Sequence, residues 1–129
     1  MTAVASPVTA PVAVLEHTAG RTVTEVVVDA DQQVFPGHYP GFPIFPGVCV
    51  VECVHRGAQA APPVPGARLE LVAVESTRFR SPVFPGDTVR CEADWSPDGD
   101  AWLCRARVDT ARGRAAQVRL RYRVVEGRR

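Results

Sequence analysis

A chain of 129 residues with 46% apolar and 22% charged residues fits one globular domain with a core of its own. A formal net charge of +1 gives no electrostatic case for nucleic acid or for an anionic membrane surface. No apolar run approaches the roughly 18 residues of a membrane-spanning helix.

The opening "MTAVASPVTAPVAV" lacks the basic region of a secretory signal, so the expected location is cytoplasmic. Residues 1–10 are expected to form a loose tail, and residues 11–129 a single domain. All fifteen basic residues are arginine, with neither lysine nor asparagine present. Codon bias in a GC-rich genome explains that without chemistry.

Next come "VAVLEH" and "RTVTEVVVD", flanking "TAG", which predict a β-hairpin. "VFPGHYPGFPIFPG", residues 34–47, is dense in proline and glycine and reads as a restricted loop carrying one histidine, His38. "GVCVVECVHRGAQAA", Gly47 to Ala61, has valines that favour a strand. Its length and the Pro46-Gly47 start favour a helix, and its nearly all-round apolar character up to Val54 suits one wrapped by a sheet. The prediction is a helix, ended by "APPVPG".

"ARLELVAVESTRFR" (Ala67 to Arg80) predicts a long strand, and "SPVFPGD" turns the chain. Three segments of period 2 then follow: "TVRCEADW", "AWLCRARV" and "QVRLRYRV". "SPDGD" and "ARGR" separate them, so an antiparallel meander is expected. The four cysteines (Cys49, Cys53, Cys91 and Cys104) have no second ligand pair at metal spacing. They read as small buried hydrophobes, and no metal is expected.

The loop and helix together suggest chemistry. Glu52 sits among valines and cysteines, where desolvation would keep its carboxyl protonated, as a general acid requires. His38, in a stiff and largely apolar loop, would be neutral, as a general base requires. The first-turn amides near Gly47 lack intrahelical partners and can polarise a carbonyl oxygen. Such a set suffices to eliminate water from a β-hydroxy carbonyl compound. Taken singly, His38 reads first as a loop histidine bonded to backbone, and Glu52 as an exposed helix position. His17 and His55 read as structural or surface residues.

"GHYPGFPIFPGVCVVE" resembles the signature segment of the 3-hydroxyacyl-acyl-carrier-protein dehydratases of the FabZ/FabA type. That pattern runs Gly-His-Phe-Pro-Gly, then Pro-x-x-Pro-Gly-Val, with an acidic residue fourteen places after the histidine, the separation of His38 and Glu52. Pro43, Pro46, Gly47 and Val48 fall in place, and "STRFRSPVFPGD" is similar to a second family block. The resemblance covers roughly Leu15 to Val125.

It implies an α+β hot dog fold: an antiparallel sheet wrapped around one long helix. His38 would remove the C2 proton of a 3-hydroxyacyl thioester, and Glu52 would assist loss of the C3 hydroxyl. Gly47 and Val48 would hold the thioester oxygen, and Tyr39, Phe42, Ile44 and Phe45 would line the acyl tunnel. No cofactor is expected, because the substrate would arrive on the phosphopantetheine arm of an acyl carrier protein. Arg78, Arg80, Arg119, Arg121 and Arg123 are candidates to dock that acidic carrier. The resemblance also implies a homodimer, or a heterodimer with a related subunit, in which histidine and acid come from different protomers.

Fatty-acid and polyketide or polyene synthesis are the expected settings. The alternatives are a hot dog thioesterase and a non-catalytic partner subunit. Three departures stand out. Arg56 occupies the family's glutamine position, Tyr39 replaces phenylalanine, and "SPVTAPVAV" replaces the usual N-terminal element.

Overall fold

A computed structural model describes residues 11–18, 20–28, 47–84 and 86–125. The tail at residues 1–10 and the predicted loop, with His38, Tyr39, Phe42, Ile44 and Phe45, lie outside the described residues.

The described chain forms strand β1 (Ala13–His17), β2 (Arg21–Val27), helix α1 (Gly47–Ala60), then β3 (Arg68–Phe79), β4 (Thr88–Asp98), β5 (Ala101–Thr110) and β6 (Gly113–Val125). The strands make one antiparallel sheet in the order β1-β2-β4-β5-β6-β3. β1 and β2 form the predicted hairpin; its turn is closed by Thr18, whose amide and hydroxyl both donate to the carbonyl of Arg21 at 2.8 and 3.0 Å. The meander β4-β5-β6 follows the period-2 reading. Gly99 (φ 62) takes the left-handed conformation that the tight β4–β5 turn requires.

Alternation sorts the sheet into two faces. Val89, Cys91, Ala93 and Trp95 of β4, Cys104, Ala106 and Val108 of β5, and Val118, Leu120 and Tyr122 of β6 are all buried. They meet Cys49, Val50, Cys53, Val54 and Ala58 of α1 in one core. The helix packs against β2, β3, β4, β5 and β6, so the sheet curls round it as the hot dog arrangement requires. Helix wins over valine propensity because a 14-residue segment in this setting buries one whole face, and tertiary packing outweighs a propensity difference of tenths of a kcal/mol per residue.

The four thiols are free and buried, as their reading as small hydrophobes expects. No described helix is long and apolar enough to cross a membrane.

Candidate active site

α1 divides sharply around its axis. Cys49, Val50, Cys53, Val54, Gly57 and Ala58 are buried, whereas Val51, Glu52, His55 and Arg56 are half-buried. At 3.6 residues per turn, those last four fall within one arc of about 140°. Glu52 is therefore not sunk on the core side of the helix. Among the described residues, it lies on a stripe that the sheet leaves partly open.

His55 lies one turn beyond Glu52 on that stripe. Its Nδ1 is 2.8 Å from the hydroxyl of Tyr122, and the two rings stack with centroids 5.7 Å apart. Tyr122 is fully buried and also packs on Trp95 at 5.6 Å. Burial pushes the Tyr122 phenol above its ordinary value and pulls the His55 imidazole below its own, with the Glu52 charge opposing the latter. Burial thus disfavours the charged form of both groups, and the imidazole tautomer decides which of the two donates in this bond. Sequence reading left His55 as a structural or surface residue; its bond to a core tyrosine is a structural role that no local pattern announces.

The helix N-terminus opens into a cavity of about 280 Å³ lined by Gly47, Val50, Phe79, Arg80, Ser81, Pro82 and Val83. The two sequence blocks that carry the family resemblance thus converge here. Gly47 stands close against the second block: a Cβ on it would be 3.0 Å from the ring of Phe79, which would have to shift by a few tenths of an ångström. Val48 follows in the same first turn.

The far wall is held by a chain of bonds. The amides of Arg80 and Ser81 donate to the Ala115 carbonyl at 2.7 and 3.2 Å, and the Ser81 hydroxyl to the Arg114 carbonyl at 2.9 Å. Asp87 accepts from the Phe84 amide at 2.7 Å and from Arg112 at 2.9 and 2.5 Å. Arg112 also covers the Phe84 ring at 4.9 Å. Those donors, Arg112 foremost, hold the Asp87 carboxyl below its usual range. The Asp of the "PGD" triplet is therefore a loop fastener.

The structure brings Gly47 together with the second block, and sets Glu52 on the open stripe outside that cavity lining. The candidate docking arginines separate. Arg80 lines the cavity, Arg78 and Arg119 share a depression elsewhere, and Arg121 is held by Glu75 at 2.5 Å and Asp98 at 2.9 Å. Arg123 is paired with Glu70. Phe79, Ser81 and Val83 were missed as cavity residues; their place within the second block was the available signal.

Comparison with known proteins agrees with this architecture. FabZ, the 3-hydroxyacyl-acyl-carrier-protein dehydratase of Desulforamulus reducens, is 41% identical over 86 residues, 63% of this chain and 61% of that protein. The chain thus spans about three fifths of the length of the curated relatives it matches. The dehydratase heterocomplex ApeI:P of Xenorhabdus doucetiae superposes with a TM-score of 0.66 at 24% identity, over 81% of this chain and 88% of that one. A hypothetical thioesterase of Streptococcus pneumoniae, solved with coenzyme A, gives 0.75 at 10% identity over 92% of both chains. These two likenesses establish the hot dog fold. The family model described as ApeI dehydratase matches residues 15–118, and on that match the chain belongs to the ApeI-like dehydratase family.

Proposed function

We propose that the protein is a hydro-lyase that removes water from 3-hydroxyacyl thioesters carried on an acyl carrier protein, giving trans-2-enoyl thioesters. The observation that carries this reading is the convergence of the amide end of α1 with the second motif block at one cavity, in a chain of a dehydratase family. The thioester oxygen would accept from the first-turn amides at Gly47 and Val48, which polarises the carbonyl and acidifies C2. His38 would take the C2 proton, and Glu52 would protonate the departing C3 hydroxyl. One proton enters the histidine as another leaves the glutamate, and a return transfer resets the pair. The reaction needs no cofactor in the protein beyond the carrier's phosphopantetheine arm. Tyr39, Phe42, Ile44 and Phe45 remain the proposed tunnel lining, and Arg80, at the cavity, the proposed docking contact.

We also propose a dimer, homomeric or with a related subunit, that covers the open stripe of α1 and completes each site with the partner's loop. Among the described residues β3 is a sheet edge whose one neighbour is β6, and it exposes Val72, Val74 and Phe79 by half. Unpaired edges of that kind invite a second strand. A cytoplasmic role in fatty-acid or polyketide synthesis fits this chemistry.

The test offers a 3-hydroxyacyl carrier-protein thioester and follows the products by mass. Loss of water with the thioester intact supports the dehydratase. Release of free acid without enoyl product would instead identify a thioesterase, which the fold likeness also accommodates. Turnover only after a second subunit is added would identify a partner subunit.

A further inference from the structure

The sheet face turned away from α1 carries many matched charges and one cluster of arginines that is largely unmatched. On β6, Arg121 pairs with Glu75 and Asp98, and Arg123 with Glu70. On β2 and β4, Arg21 reaches Glu16, Glu92 and Asp94, and Arg90 reaches Glu25 and Glu92. Between these groups lies a shallow depression of about 400 Å³ with Ser76, Thr77, Arg78, Arg105, Arg107, Gln117 and Arg119 on its walls.

Arg105 and Arg119 are direct cross-strand partners in the β5–β6 register. Arg107 and Arg78 flank Gln117 in the adjacent row. Only Arg107 is ion-paired, with Asp94 at 2.8 Å and Glu92 at 3.6 Å. Arg78, Arg105 and Arg119 make no ion pair among the described residues. Asp94, the residue opposite Arg105 on β4, is engaged by Arg107 and Arg21, and like charges set directly opposite on a sheet are destabilising, so the Arg105–Arg119 pair carries a cost. An anion seated there would offset it.

We propose that this groove is an anion site for a diphosphate group, free or borne on a nucleotide. The size and donor chemistry favour that occupant. Strands about 4.8 Å apart and same-face residues about 6.8 Å apart place all four arginine Cα atoms within roughly 12 Å of one another. That is a compact cluster, too small for the spread acidic surface of a protein and suited to two linked phosphoryl groups. Guanidinium forks grip phosphoryl oxygens in pairs, and Ser76 and Gln117 add neutral donors. The proposal is independent of the dehydratase reading, since the groove faces away from the helix.

The experiment measures calorimetric binding of inorganic pyrophosphate at fixed ionic strength, with adenosine diphosphate and coenzyme A as further arms. We expect saturable 1:1 binding that Arg105→Gln/Arg119→Gln weakens by at least about tenfold. Arg114→Gln, whose guanidinium serves Asp109 instead, should leave it unchanged. Because the double variant removes a like-charge contact, its melting temperature at low salt should equal or exceed that of the parent, which separates loss of binding from loss of fold. Equal affinity for pyrophosphate and the nucleotides would assign the site to the free anion, and tighter nucleotide binding to the nucleotide-borne group. Binding that survives the double substitution, or no binding by any of the three, overturns the proposal. Binding of an acidic poly-glutamate peptide in their place would also overturn it, in favour of a protein surface.

Discussion

Gly57 marks a close approach of helix to sheet: a Cβ placed there would stand 2.5 Å from the Thr24 hydroxyl oxygen. In an exposed helix, exchanging glycine for alanine stabilises by up to about 1 kcal/mol. Here overpacking reverses the sign, and Gly57→Ala should destabilise by about 1–3 kcal/mol, read from denaturant midpoints. The His55–Tyr122 pair gives a second residue-level test. Burial lowers the His55 pKa from its ordinary 6.5, so below that pH the unfolded chain binds the proton more readily than the folded one. Stability due to this group is intact above about 6.5 and declines as pH falls through that value. His55→Gln should flatten that acid limb in urea titrations at several pH values, and an unchanged limb would assign it to other groups. Glu52 shows how far residue-scale reading reaches. Its helix and its neighbours were legible from the sequence, but which arc of the helix it occupies depends on how the sheet curls, and no local pattern records that.

At the scale of elements, the three-strand meander was legible because alternation is a local property with a period of two. The helix was legible from its length and its Pro-Gly start against the pull of its valines. The place of β3 was not, because its pairing with β6 joins residues as far apart as Arg68 and Val125 and follows from topology. That pairing leaves β3 at an edge, and the edge yields a prediction. Val72→Lys/Val74→Lys puts two charges on the exposed apolar stretch and should shift the protein from dimer to monomer in sedimentation analysis. The isolated fold should persist by circular dichroism, because both valines are half-exposed in the single chain. A monomeric parent, or a variant that stays dimeric, would remove β3 as the seam.

For the molecule as a whole, the core's chemistry sets its alkaline limit. Burial pushes the Cys91 and Cys104 thiols up to about 12, and raises Cys49, Cys53 and the Tyr122 phenol as well. From about pH 9 the unfolded chain ionises thiols that the folded chain keeps protonated, so stability falls as pH rises above that value. Thiol reagents should label native protein slowly, at a rate that tracks global unfolding, and unfolded protein at once. Rapid labelling of the native state would show that the core opens locally. The sequence conveyed an antiparallel sheet wrapped around a helix, since composition and periodicity describe a core. It did not convey the charge lattice of the outer face, because those partners meet only across the finished sheet.

The central claim is that His38 and Glu52 perform dehydration as base and acid. The most direct measurement compares the rate of water loss from a 3-hydroxyacyl carrier-protein thioester for the parent, His38→Ala and Glu52→Gln, each checked for an unchanged fold. Loss of either group should lower the rate by about 10²–10⁴-fold with the carrier affinity little altered. A folded variant of either kind that retains a rate within a few-fold of the parent would contradict the account.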